Sequence, residues 1–135
     1  MRQRWNMILA GLVLGSVGLA AAAAETKYDF EVLKPEEVYF GSGKHPKAPG
    51  ELTADDVWAA IPEYKQILED KLSDEDAQYH LLMRKAAERF SKALKKLAKR
   101  DSHDMLGEVG SIKALGKKTI PDVTKEMIRL VTRNQ

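Results

Sequence analysis

Apolar residues recur at helical spacing from Ser73 to Arg100, and this is the most regular pattern in the chain. The main apolar positions lie four, three, four, three and four residues apart, so they share one face of a helix. Ser73 before the acids Asp74–Asp76 predicts an N-cap, and the lysines before Arg100 suit the negative end of the helix dipole. The sequence therefore predicts one long amphipathic helix, whose apolar face carries Tyr79, Leu82, Met83, Ala86, Phe90, Ala93, Leu94 and Leu97.

The first part of the chain after residue 24 predicts two strands and an irregular connection. Alternating apolar residues at Tyr28, Phe30 and Val32 predict one short strand. Val38–Phe40 predict a second strand, which ends at a glycine-rich turn. Two prolines and a glycine make Lys44–Glu51 an irregular connection.

Two helices are predicted between this connection and the long helix. Thr53 is followed by acids and then by apolar residues at helical spacing, which is the pattern of an N-cap and a first helix. A proline in a helix interior removes a hydrogen bond, so Pro62 should break this helix. A second helix is then expected from Glu63 to Leu72.

Short strands and one more helix are predicted after the long helix. Glycines divide Met105–Leu115 into short apolar pieces, and Thr119, Pro121 and Asp122 open an amphipathic C-terminal helix. The predicted fold class is α+β, mostly helical, with a small antiparallel sheet. Its strands should come from the N-terminal part of the domain and from Met105 to about residue 120.

Residues 1–24 have the pattern of a secretory signal peptide. Arg2 and Arg4 make a basic start, Met7–Ala24 is an unbroken run of apolar and small residues, and alanines precede the expected cleavage after Ala24. We therefore expect a single exported domain over residues 25–135 and a periplasmic location. The alternative is a retained N-terminal helix that anchors a scaffold, because a run of this length can span a bilayer.

Charge and cysteine content limit the classes of partner and site. The chain has 22 basic and 20 acidic residues, and Arg2 and Arg4 lie in the predicted signal peptide, so residues 25–135 are formally neutral. Neutral charge gives no general attraction to nucleic acid, and we expect no nucleic-acid partner. The chain has no cysteine, which excludes disulfides, thiolate metal ligands and thiol nucleophiles.

The stretch FGSGKHPKAPG, Phe40–Gly50, resembles a phosphate-binding loop only superficially. A Walker loop needs four residues between its first glycine and the Gly-Lys pair, whereas one residue separates Gly41 from Gly43. A proline after His45 disfavours the helix that would supply amides to an anion. We therefore predict a turn and no nucleotide cofactor.

Residues with catalytic potential form no recognisable motif. No serine lies in a Gly-x-Ser-x-Gly elbow, and the acids cluster at helix starts, where the helix dipole explains them. We expect no enzyme activity and no cofactor. The alternative is a small metal-binding or hydrolytic protein that uses His103 between Asp101 and Asp104.

The basic run KALKKLAKR is the candidate contact for a partner. It is either a solvated helix face or a docking surface for an acidic partner or anionic lipid. If it docks a partner, the contact residues are Lys92, Lys95, Lys96, Lys99 and Arg100.

The C-terminal half resembles the end of the OmpH-like (Skp) periplasmic chaperone family. In that family a helix with a lysine-rich end leads into a short strand, a glycine-containing hairpin and a final helix opened by Asp-[Ile/Val]-Thr. The similar residues here are Ala93–Arg100, Met105–Val109 and Asp122-Val123-Thr124, and VWAAIPEYKQI, Val57–Ile67, is similar to the family's first helix.

This resemblance implies a non-enzymatic chaperone or assembly factor that binds unfolded or partly assembled envelope proteins. It also implies a trimer and a small sheet with flanking helices. Leu72-Ser73 joins the helices almost directly, so the long tentacles of the family should be short or absent, and the neutral charge differs from the basic family. The residues expected in the core or in the oligomer contact are Trp58, Ile61, Tyr64, Leu82, Met83, Phe90 and Leu97.

Overall fold

A computed structural model of the chain describes residues 27–133. The predicted signal peptide, residues 1–24, lies outside the described residues. A single turn of 3-10 helix (Pro35–Glu37) separates the first two strands. The strands and α-helices follow in the order β1 (Phe30–Val32), β2 (Val38–Phe40), β3 (Pro49–Leu52), α1 (Ala54–Ala60), α2 (Pro62–Glu69), α3 (Ala77–Asp101), β4 (Met105–Glu108), β5 (Ile112–Ala114) and α4 (Thr124–Thr132).

The strands form two small sheets. In one sheet β1 pairs antiparallel with β5, and in the other β4 lies between β2 and β3. β2 is antiparallel to β4, whereas β3 runs parallel to β4, with Pro49 opposite Met105. The predicted α+β class with a small antiparallel sheet is confirmed. The prediction of an irregular connection is wrong for Pro49–Glu51, which lie in β3; a proline is tolerated there because it is the first residue of the strand.

The long helix α3 is present but begins later than predicted. It starts at Ala77 with Asp76 as its N-cap residue, so the prediction of Ser73 as the cap is wrong. Ser73 instead closes a separate turn, in which its N–H donates to the Asp76 carboxylate at 2.9 Å. At the other end Ser102 adopts a left-handed conformation with φ 57°, and the N–H of His103 donates to the Ala98 carbonyl at 2.9 Å. This is the hydrogen-bond pattern that terminates many helices.

The break predicted at Pro62 is also present. Ile61 has an extended conformation, with ψ 124°, and Pro62 is the first residue of α2. Proline is favoured at this position because its missing N–H would have no partner in the first turn. The second helix ends at Glu69, three residues before the predicted end at Leu72.

One main core holds the helices against the three-stranded sheet. Its buried side chains come from α1, α3, β3, β4, α4 and the residues Ile61 and Val123 next to helix starts; Leu52, Val57, Ile61, Leu97 and Met127 are fully inaccessible. A second, smaller cluster lies between the sheets and includes Phe30, Val32, Met105 and Ile112. Within residues 27–133 no helix has both the length and the apolar character needed to cross a bilayer.

Candidate functional site

The loop Phe40–Gly50 is fixed by the segment that follows α3. The Asp104 carboxylate accepts hydrogen bonds from the N–H groups of Lys47, at 2.7 Å, and Ala48, at 2.9 Å. Gly41 approaches this segment so closely that a Cβ atom would lie 2.3 Å from the Asp104 carbonyl oxygen, and its φ is +90°. The turn chemistry inferred from the sequence thus has a structural reason: the loop packs onto Asp104.

Each residue of the alternative metal site already forms hydrogen bonds within the chain. Nδ1 of His103 lies 3.1 Å from the Ala48 carbonyl oxygen, and Asp104 binds the loop amides. The Arg100 guanidinium donates to Asp101, and this contact holds the pKa of the Asp101 carboxyl below its ordinary value. In the described part of the chain no group of three or more histidines and acids is placed to hold a metal ion.

Most of the residues expected in the core or the oligomer contact lie in the core of one chain. Ile61, Leu82, Phe90 and Leu97 are buried, and all of these except Leu82 belong to the main core. The apolar face is therefore covered within one chain from Ala86 to Leu97, whereas Tyr79 and Met83 of the same face are only half-buried. Trp58, Tyr64 and Met83 are half-buried.

An aromatic cluster lies at one edge of this core. The Trp58 ring lies 5.6 Å from the Phe90 ring and 5.8 Å from the Tyr64 ring, measured between centroids. Tyr39 meets Phe90 edge to face at 5.7 Å. These contacts join α1, α2, α3 and β2, so the half-buried rings have partners within the chain.

Arg89 is half-buried, between the apolar face of α3 and the side of the helix that carries exposed lysines. Its guanidinium donates to the Glu63 carboxylate of α2, with a shortest distance of 2.7 Å, and to the Arg133 carbonyl at 2.9 Å. The hydrogen bonds from Arg89 to Glu63 hold the pKa of the Glu63 carboxyl below its ordinary value. Arg89 therefore connects α3 to α2 and to the end of α4, and its charge is neutralised.

Four lysines in the C-terminal half of α3 form an exposed surface, which we name the basic face: Lys92, Lys95, Lys96 and Lys99. All four side chains are exposed, and none forms an ion pair with another described residue between positions 27 and 133. Arg100, the fifth residue predicted for partner contact, differs because it binds Asp101 and Glu126, each at 3.1 Å.

Lys85 also contributes to this surface, although it was not among the residues predicted for partner contact. Lys85 is exposed and lines a shallow cleft together with Lys92, Glu88 and the Arg89–Glu63 pair. Its position seven residues before Lys92 places both lysines on the same side of the helix. That spacing was the available signal, but it lay outside the dense run KALKKLAKR.

No family model, curated protein or solved structure matches the chain.

Proposed function

We propose that this chain is an exported, non-enzymatic protein of the cell envelope that acts as an assembly factor or chaperone. It docks acidic segments of unfolded or partly assembled envelope proteins on the basic face of α3. The observation that supports this proposal is the set of four exposed lysines without an acidic partner in the described residues. The OmpH-like resemblance of the C-terminal half supports the periplasmic location and the class of partner.

The mode of binding follows from how α3 is built. Its apolar side chains from Phe90 to Leu97 are covered by the core, and the exposed Leu81 near the start of the helix offers only a small apolar surface to a client segment. The hairpin formed by α2 and α3 is short, because α2 has only 8 residues and the chain passes from α2 to α3 without an extended arm. Binding should therefore depend on charge, which accelerates encounter with an acidic partner and weakens as salt screens it.

The test uses an acidic outer-membrane β-barrel protein diluted from urea, with light scattering as the measure of aggregation. The protein purified after expression of the full chain should slow aggregation at low salt and lose this effect at about 1 M salt, where the Debye length is about 3 Å. The variant Lys92→Glu/Lys95→Glu/Lys96→Glu/Lys99→Glu should lose the effect at both salt concentrations.

A matched control separates the basic face from total charge. Lys44, Lys65, Lys113 and Lys125 are exposed and lie on other elements, so their replacement by glutamate changes the net charge equally. The control should retain the activity. Equal loss in both variants, or full activity in the α3 variant, would show that the basic face is not the docking surface.

A further inference from the structure

An open groove of about 420 Å³ lies beside the C-terminal end of α3. Two loops that are about seventy residues apart in sequence contribute lysines to it: Lys47 precedes β3, and Lys117 and Lys118 follow β5. Asp101, the last residue of α3, forms part of its wall, so the groove lies at the end of the helix that carries the basic face. Phe30, Pro49 and Pro121 contribute apolar surface to the groove.

The wall that carries Lys47 is held in place before any ligand arrives. Asp104 binds the N–H groups of Lys47 and Ala48, and the N–H of Asp104 donates back to the Ala48 carbonyl at 3.3 Å. The His103 ring packs against Gly50, where a Cβ atom would lie 3.2 Å from the ring. A binding group fixed in this way loses little conformational entropy when a ligand binds.

The charged groups of the groove are not all neutralised within it. Lys118 binds Asp29 at 2.9 Å, and Asp101 is occupied by Arg100. The ammonium groups of Lys47 and Lys117 form no hydrogen bond or ion pair with any other residue that the structure describes. Two cations without a partner among the described residues thus line an open groove that also has apolar surface.

The geometry points to this groove as the binding site for an acidic peptide segment. Carboxylates of the segment pair with Lys47 and Lys117, and one apolar side chain packs against Pro49 and Pro121. The inference rests on the proposed function, because it adds a second contact at the end of α3 and names its ligand: an acidic segment of the client that docks on the basic face.

The test uses a short fluorescein-labelled peptide of aspartate and glutamate with one central leucine. Its affinity is measured by fluorescence anisotropy with the protein purified after expression of the full chain, and the site is located by amide chemical shifts. We expect shifts at Ala48, His103 and Thr119. We expect Lys47→Gln/Lys117→Gln to weaken binding roughly five-fold, as two exposed ion pairs would, and the matched Lys44→Gln/Lys113→Gln variant to bind as the wild type does. Replacement of the leucine by serine should also weaken binding.

The outcomes separate this inference from the proposed function. If Lys47→Gln/Lys117→Gln binds as tightly as its control, the groove is not the site. If, in addition, the four-lysine variant of α3 loses binding, the proposed function still stands. A peptide that does not bind, or that inorganic phosphate of equal charge displaces equally well, also overturns the inference. So does a native mass that falls from dimer to monomer in Lys47→Gln/Lys117→Gln, because the groove would then belong to a second copy.

Discussion

The two faces of α3 are made by the same helix but have opposite relations to the rest of the chain. The apolar face is covered: Phe90, Leu94 and Leu97 are buried against other elements of the same chain. The basic face is not covered, and its lysines have no acidic partner in the described residues. One face therefore stabilises the fold, whereas the other leaves unpaired charge on the surface.

The two faces also contribute to the folding stability with opposite signs. Burial of leucine and phenylalanine side chains contributes about 1.5–3 kcal/mol each. Lysines three or four residues apart on a helix repel one another by about 0.2–0.5 kcal/mol per pair. The stretch from Lys92 to Lys99 contains such pairs, for example Lys92 with Lys96 and Lys95 with Lys99. Repulsion within the basic face thus slightly opposes folding.

The largest effect is expected at Leu97, which has no exposed surface. Leu97→Ala should lower the free energy of unfolding by about 3–4 kcal/mol, because it removes buried contacts and leaves a cavity. Urea denaturation followed by circular dichroism measures this change. The neighbouring change Lys96→Ala should stay within about 0.5 kcal/mol of wild type.

The same experiment tests whether α3 is covered within one chain. If it is, the urea midpoint of wild type and of Leu97→Ala should not depend on protein concentration. The trimer implied by the family resemblance stays a prediction, and native mass from light scattering measures it directly. A midpoint that rises with protein concentration, together with dissociation of a trimer by Leu97→Ala, would show that Leu97 belongs to a contact between copies.

A smaller effect is expected at Arg89, the cation at the border of the two faces. Arg89→Ala should lower the free energy of unfolding by about 2 kcal/mol at pH 7, because Glu63 loses charged hydrogen bonds in a half-buried site. Lys92→Ala, a change of an unpaired cation one turn away, is the control and should have little effect.

The pH dependence follows from the lowered pKa of Glu63. A carboxyl whose pKa is lower in the folded state stabilises the fold above its unfolded pKa, and this stabilisation is lost as the pH falls through the folded pKa. The difference between wild type and Arg89→Ala should therefore shrink below about pH 4.3, where glutamate begins to be protonated in the unfolded chain. A constant difference down to pH 3 would argue against the Arg89–Glu63 pair as its source.

The local sequence pattern was sufficient to predict most of the helices and strands. Long-range contacts explain the element that it did not predict. The period of α3 and the break at Pro62 are visible in the sequence because each depends on neighbouring residues. The strand β3 was missed because PGEL has little strand pattern; its pairing depends on β4, more than fifty residues away, and on Pro121, whose carbonyl accepts from the Glu51 N–H at 3.0 Å.

The N-terminal cap of α1 is another feature that the local sequence could not predict. Thr53 makes no side-chain cap; instead the Glu108 carboxylate of β4 accepts from the Ala54 N–H at 3.0 Å and from the Tyr39 hydroxyl at 2.8 Å. Burial, together with the adjacent Glu108 carboxylate, raises the pKa of the Tyr39 hydroxyl above its ordinary value. No local feature near Thr53 could indicate a partner from so distant a strand.

The residues of the candidate site were also only partly predictable from the sequence. The run from Lys92 to Arg100 is visible in the sequence, but only the structure separates Arg100, which has acidic partners, from the four lysines that have none in the described residues. Lys47 and Lys117 lie in loops without helical or strand period. Their meeting in one groove depends on how the loop before β3 packs on Asp104.

The smallest expected effect is at Lys95, where the sign of the stability change distinguishes a docking surface from an ordinary solvated surface. Lys95→Glu replaces repulsion from Lys99 and Lys92 by attraction, so the free energy of unfolding should rise by about 0.5 kcal/mol at low salt. The gain should disappear at about 1 M salt, where these charges are screened. The neutral change Lys95→Gln should give about half of it. If stability rises while binding to the acidic β-barrel protein weakens, the lysine opposes folding and serves docking at the same position. A loss of stability at low salt would instead mean that Lys95 has a favourable contact within the fold, and the basic face would then be an ordinary solvated surface.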